Sequence, residues 1–172
     1  MHDVYLSIGS NIEPEKNIPK ALELMDETDD LELLGISTFY ITSPLGRPDQ
    51  LPYRNGAVKI HSAHQLQQLK FDILRPIEER LGRKRTCDTY APRPIDLDIL
   101  LFDTIVQDTD EFEIPDPDIR IRAFVAIPLA ELAPNLVLPD TNELLADLPL
   151  LQEELTEDVL LTRTLKERFN HE

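Results

Sequence analysis

Cysteine occurs once in this 172-residue chain, tryptophan is missing, and lysine and arginine together number 17 against 33 aspartates and glutamates. The lone Cys87 has no partner for an intramolecular disulfide, and no cysteine or histidine stands near it, which disfavours a local zinc motif. No stretch approaches the ~18 uncharged apolar residues of a membrane span. The opening "MHDVYLSIGSN" lacks a basic segment followed by an apolar core and a small-residue cleavage site, so a cytoplasmic location is expected. The shortage of positive charge leaves a net charge of −16, which opposes nonspecific contact with nucleic acid or with anionic membranes.

What is present fits one soluble domain over residues 1–172, with 41% hydrophobic and 29% charged residues. "DVYLSIGSN" alternates Val4, Leu6 and Ile8 and ends in a turn signal, which reads as a strand. In "PEKNIPKALELMDE", Ile18, Leu22 and Met25 fall at helical spacing, and Pro19 predicts a start near Asn17 or a kink. "LELLGISTFYIT" and "YRNGAVKIH" read as two strands joined by the long loop "SPLGRPDQLP". "SAHQ" at 62–65 matches a capping box, and Leu66, Leu69, Ile73, Ile77 and Leu81 form the stripe of a helix ended by Gly82 and kinked by Pro76. "PIDLDILLF" is the next strand, followed by a hairpin, a loop, a helix and a helical acidic tail over 150–172. The order β-α-β-β-α-β predicts an α+β fold: a ferredoxin-like sandwich with a largely antiparallel sheet, helices packed on it and a C-terminal helical extension.

Strand alternation puts Ile95, Leu97, Ile99 and Leu101 on one face of "PIDLDILLF" and Asp96 with Asp98 on the other. Two carboxylates that close repel and lose hydration unless a cation compensates, and such oxygen-rich pairs suit Mg²⁺. Taken alone, the pair reads first as an edge strand that simply solvates its polar face. Just upstream, "RLGRKRTCDTYAPR" gathers Arg80, Arg83, Lys84, Arg85 and Arg93, a basic island in an acidic chain. Arginines beside a metal-binding pair are the composition that a nucleotide polyphosphate requires.

In order and spacing, "YLSIGSN", "TSPLGRPDQLPYRNGAV", "IEERLGR", "APRPIDLDILLF" and "RAFVAIPLAELAP" resemble the hydroxymethyldihydropterin pyrophosphokinases of folate biosynthesis over roughly residues 4 to 140. The resemblance implies Mg²⁺-dependent transfer of pyrophosphate from ATP to the hydroxymethyl oxygen of the pterin, with release of AMP. It implies that Asp96 and Asp98 hold two Mg²⁺ ions and that Arg83 and Arg93 act with them in catalysis. Thr42, the backbone at Leu45, Tyr53, Asn55 and Phe124 match the pterin pocket, with two aromatics on the ring faces and Asn55 on the amide edge. Glu78, Arg85, Tyr90 and Arg122 match ATP contacts. The expected partners are these small molecules alone, bound by a monomer. Ordering the loops 43–52 and 83–92 over substrate would exclude water from the phosphoanhydride.

The chain departs from the family pattern on the nucleotide side. "IPDPD" places Asp116 where the family carries a phosphate-contacting histidine, and Glu111 and Glu113 replace basic or neutral residues. Thr89 stands where some members have arginine, Tyr90 where tryptophan is frequent and Ala91 where glycine is usual. These changes predict weaker MgATP binding or a rearranged phosphate site. Two other readings stay open: a paralogue that binds pterin with little transfer activity, and an unrelated Mg²⁺-dependent nucleotidyl-transfer enzyme on the same sandwich.

Overall fold

The computed structural model describes residues 1–169. Val4, Leu6 and Ile8 of β1 (His2–Ser10) turn into the main core, as their alternation requires. The helix α1 (Pro14–Asp26) lays Ile18, Leu22 and Met25 on that face. It starts at Pro14 rather than near Asn17, because Pro14 supplies the preset φ and the missing donor that a first turn tolerates, and Pro19 is carried inside the helix.

The expected single strand over 31–42 is two, β2 (Leu31–Ile36) and β3 (Tyr40–Thr42). At the break between them, the Ser37 Oγ accepts the Ala57 N–H at 2.8 Å while the Ser37 N–H donates to the Ala57 carbonyl at 2.9 Å. Both strands pair with β4 (Tyr53–Ser62). The capping box also lies three residues further on than "SAHQ" suggests. The Gln65 N–H donates to Gln68 Oε1 at 3.1 Å at the start of α2 (Leu66–Gln68), while Ser62 is still the last residue of β4.

In place of a kink at Pro76, a π-helical turn (Leu69–Leu74) separates α2 from α3 (Arg75–Arg80). The wider turn accommodates a pyrrolidine ring that would strike the i−4 carbonyl of a regular α-helix, and Pro76 then sits in the first turn of α3. Leu66, Leu69, Ile73 and Ile77 remain buried along the stripe, and Leu81 packs against them.

β5 (Asp96–Phe102) completes the βαββαβ core and pairs with β1. Partners run Tyr5 with Leu101 and then Leu6 with Ile99, so Leu100 is an extra residue in β5. That bulge reverses the alternation: Leu101 joins the core on the second face instead of following Ile95, Leu97 and Ile99 into the main one. A small hairpin, β6 (Gln107–Asp108) with β7 (Glu113–Ile114), leads to α4 (Asp118–Ile121) and α5 (Ala123–Leu132). Every pairing among the described residues is antiparallel, and the main sheet runs β5-β1-β4-β3-β8, where β8 is Thr156–Glu157, with β2 also on β4.

α1, α3 and a C-terminal helix, α6 (Val159–Phe169), lie toward the main core, whereas α5 covers the other face of β4 and β1. Of the tail expected to be helical over 150–172, residues 170–172 lie outside the described residues; between 150 and 169 the helix is mainly α6 (Val159–Phe169), preceded by the strand β8 (Thr156–Glu157), which pairs with β3. Leu161, Leu165 and Phe169 enter the main core. Because Leu165 is fully buried, Leu165→Ala should lower the free energy of unfolding by about 2–4 kcal/mol in urea denaturation; a change near zero would make α6 an appendage.

Candidate active site

With Val4, Leu6 and Ile8 committed to the core, Ser7 and Gly9 face the opposite way. Register places Asp98 beside Ser7 and Asp96 beside Gly9, with Asn55 on the other side of Gly9. α5 leaves this end of the second face uncovered, and a cavity of about 250 Å³ opens there. Thr42, Leu45, Tyr53, Asn55 and Phe124 all line it, together with Tyr90, Arg93, Asp96 and Asp98.

Local packing holds this wall. The Asn55 Nδ2 donates to the Thr42 Oγ1 at 2.6 Å, which points the amide along the wall. A Cβ on Gly9 would lie 2.7 Å from Asn55 Oδ1, so only glycine leaves the amide in place. Burial raises the pKa of Tyr53 and keeps its hydroxyl protonated, although Arg93 opposes the shift. The two long loops touch each other beside the cavity. Arg47 ion-pairs with Asp88, and Gln50 Nε2 donates to the Tyr90 carbonyl at 2.6 Å. Gly46, with φ of +74°, lies so close that a Cβ would stand 3.0 Å from the Tyr90 ring.

The charged residues form one network behind the cavity. Arg83 donates to Asp96 Oδ1 and to Glu78, and Arg93 donates to Asp96 Oδ2 and, at 2.8 Å, to the Thr89 carbonyl. Glu78, only 2% exposed, also accepts from Arg85 at 3.1 Å and from the Leu97 N–H at 3.3 Å. Burial raises the Glu78 pKa against the pull of Arg83, whereas Asp96 and Glu78 outweigh burial and raise Arg83 further. Glu78 therefore faces its arginines and the start of β5 and lines neither this cavity nor the next. Arg83, Arg85 and Arg122 line neither this cavity nor the next.

Asp98 differs from Asp96 in having no ion-pair partner among the described residues. Its side chain is exposed and opens to the cavity, crowded by the neighbouring acidic groups. Desolvation by the surrounding protein atoms, then Asp96, Asp116 and Glu78, raises its pKa well above the usual carboxylate value, with Arg83 opposing. No group of three acidic, histidine or cysteine side chains is placed to hold a metal among the described residues. The donor set still fits Mg²⁺, which takes one or two carboxylates and completes its shell from water and phosphate. Each oxygen of Asp96 keeps a lone pair beyond its arginine contact, and Asp98 has no cation paired with it, so that a bound metal ion would favour its ionised form.

A second cavity of about 230 Å³ shares Asp98 and Asp118 with the first and is walled by Glu113, Asp116, Lys70 and Phe112. Glu111 lines neither; its Oε2 accepts from Gln67 at 3.1 Å. Asp116 Oδ1 accepts the Asp118 N–H at 2.8 Å, yet burial pushes its pKa up to about 6, with help from Asp118 and Glu113. Ser7, Gly9, Gln50, Asp118 and Lys70 escaped the reading by motif. The alternation of β1 already puts Ser7 and Gly9 on the polar face, whereas the other three are placed only by tertiary packing.

Residues 5–134 match the family model for 7,8-dihydro-6-hydroxymethylpterin-pyrophosphokinase (HPPK). A Pseudomonas aeruginosa protein named 2-amino-4-hydroxy-6-hydroxymethyldihydropteridine pyrophosphokinase is 39% identical over 150 residues, 85% of this chain and 91% of that one. Its namesake in Haemophilus influenzae is 36% identical over 144 residues, covering 83% and 88%. Among solved structures, an HPPK-DHPS in complex with substrates matches 98% of this chain with a TM-score of 0.64 at 12% identity. A Plasmodium falciparum HPPK-DHPS triple mutant matches 99% with a TM-score of 0.65 at 13% identity. This chain spans 45% of each of those two longer chains, and at such identities they speak to fold alone.

The raised pKa of Asp116 has a defined sign. Below its ordinary 3.8 the carboxyl is neutral folded and unfolded, and the stability associated with the neutral form is lost as pH rises through about 6. Asp116→Asn should therefore be more stable than the parent by about 1–3 kcal/mol near pH 8 and indistinguishable from it below about pH 4 in urea denaturation. An equal difference at both pH values would contradict this.

Proposed function

This chain belongs to the 7,8-dihydro-6-hydroxymethylpterin-pyrophosphokinase family, and we propose that it transfers pyrophosphate from ATP to 6-hydroxymethyl-7,8-dihydropterin, a step of folate biosynthesis. The single observation that carries the proposal is the position of Asp98 in the wall between two cavities, one holding every pterin-binding candidate and the other opening beyond the carboxylate pair.

The roles follow from placement. Tyr53 and Phe124 offer apolar faces to a bicyclic ring, the Leu45 backbone lines its edge, and Asn55, oriented by Thr42, hydrogen-bonds its amide edge. Bound in that orientation, the hydroxymethyl group is directed toward Asp96 and Asp98. Its oxygen attacks the β-phosphorus of ATP as the bond from that phosphorus to the α–β bridging oxygen breaks. AMP leaves with the bridging oxygen, the hydroxyl proton is released, and the product is the pterin diphosphate. Asp96 and Asp98 would hold two Mg²⁺ ions, which when bound neutralise phosphate charge and acidify the hydroxyl.

Arg93, in the cavity wall, and Arg83 behind it bring positive charge to the transferring group, and Tyr90 flanks the same loop. Arg85 and Arg122 belong to the proposal as ATP contacts made once nucleotide is present. The loops 43–52 and 83–92, already touching, exclude water from the anhydride. A cytoplasmic monomer is part of the same proposal.

Incubating the protein with ATP, Mg²⁺ and hydroxymethyldihydropterin should yield AMP, and Asp98→Ala should reduce the rate by about 10³-fold or more. Failure of the folded parent to form AMP would overturn the function. For the pterin end, Asn55→Ala should raise the KM for pterin by about 10-fold or more with the KM for ATP little changed, measured by steady-state kinetics. A rise in the ATP KM instead would move Asn55 out of the pterin site.

A further inference from the structure

Asn55 stands on the amide edge of the pterin pocket, and strand alternation turns its two neighbours in β4, Arg54 and Gly56, to the opposite face of the sheet. Both neighbours are held there by the last segment of the chain. The Arg54 Nε donates to Asp158 Oδ2 at 2.7 Å in a partly buried ion pair. Gly56 lies against Phe39, a fully buried residue whose ring would stand 2.7 Å from a Cβ at that position. Phe39 is in turn fixed through its backbone. Its N–H donates to Thr162 Oγ1 at 2.9 Å, and its carbonyl accepts the Asp158 N–H at 2.8 Å. Asp158 also caps α6, since its Oδ1 accepts the Leu161 N–H at 3.0 Å. Burial works against the charge on Asp158, but the Leu161 N–H and Arg54 outweigh it and lower the pKa, so the carboxylate is ionised at neutral pH.

From this geometry we infer that Asp158 is a positioning residue for the pterin: by gripping Arg54 on one side of Asn55 and, with Thr162, the Phe39 that backs Gly56 on the other, it fixes the strand from which Asn55 reads the ring. The inference rests on the function proposed above and adds to it a segment that lies beyond the residues 5–134 matched to the family model. β3 begins directly after Phe39 and carries Thr42, whose hydroxyl orients the Asn55 amide. The first turn of α6 therefore steadies both partners of that hydrogen bond. An amide that reads the edge of a heterocycle depends on such support, because hydrogen bonds weaken steeply with misalignment and a site tolerates only small displacements. Asp96 and Asp98 stand on β5, which β1 separates from β4. Loosening the grip on β4 should thus reach the pterin and spare the nucleotide.

The rival account makes the contact a staple that adds stability and nothing else. Asp158→Asn separates the two, because the amide oxygen can still cap α6 and the backbone N–H still reaches Phe39, while the charge opposite Arg54 is lost. In steady-state kinetics the KM for pterin should rise by about 5-fold or more with the KM for ATP within about 2-fold of the parent's. Titration with 6-hydroxymethylpterin in the presence of Mg²⁺ and a nonhydrolysable ATP analogue should show the same loss of affinity. Arg54→Gln should act likewise, and the double variant should lose no more than either single one, as residues that work through one contact do. Asp158→Glu should recover part of the affinity. Variants with a lowered melting temperature and a parental KM for pterin overturn the inference, as does an equal rise in both KM values or a fully additive loss in the double variant. If the parent makes AMP and Asp158→Asn binds pterin as the parent does, this inference alone falls. If the parent makes no AMP yet binds 6-hydroxymethylpterin, and Asp158→Asn weakens that binding, the positioning role stands and the transfer reaction falls. A parent that binds no pterin overturns both.

Discussion

Asp96 lies between two guanidinium groups, one oxygen accepting from Arg83 and the other from Arg93, and the surrounding site is fixed by that clamp. Arg83 also leans on Glu78, and Glu78 accepts the backbone N–H of Leu97 inside β5 itself. The end of α3, the loop after it and the start of β5 are thus tied by one set of charges. Burying ions is expensive unless each finds a partner, and removing one partner strands the other. Breaking Glu78 from Arg83 would therefore disturb Asp96 although Glu78 touches neither cavity. Charge-assisted bonds of this kind hold a catalytic carboxylate in place better than packing does, because a carboxylate has little apolar surface to pack.

The site also depends on a division of labour between the two faces of one sheet. β1 and β5 give one face wholly to the main core and use the other for Ser7, Gly9, Asp96 and Asp98. α5 could have closed that second face with apolar contacts, as it does over β4 and β1 further along through Val125 and Leu129. Where its cover ends, the polar residues are left facing a cavity. Gly9 shows how narrow the tolerance is: at the middle of three strands, the absence of a methyl group is what lets Asn55 lie flat against the sheet.

Much of this was legible in the sequence, for identifiable reasons. The alternation of Val4, Leu6 and Ile8 is a local property that tertiary contacts reinforce, and so is the opposite placement of Asp96 and Asp98. The pterin-side candidates share one cavity because their motifs lie on paired strands and on the loop and helix beside them. Errors arose where a nonlocal partner decided the outcome. Leu101 changed face through a bulge set by pairing with β1, and Ser37 split a strand because its hydroxyl meets Ala57. Pro76 was absorbed by a π-turn that no periodicity announces, and the capping box moved because Ser62 was needed in β4.

The last strand has a bearing on how the molecule behaves in company. β3 would otherwise present a row of unpaired amides and carbonyls at the border of the sheet, and β8 covers it over Tyr40 and Ile41. β8 is only two residues long, ends in Glu157, and follows Glu153 and Glu154. Such a border is too short and too negatively charged for a second sheet to add to it. The acidic segment thereby guards the sheet against edge-to-edge association, a task for which its charge suits it better than any apolar strand would.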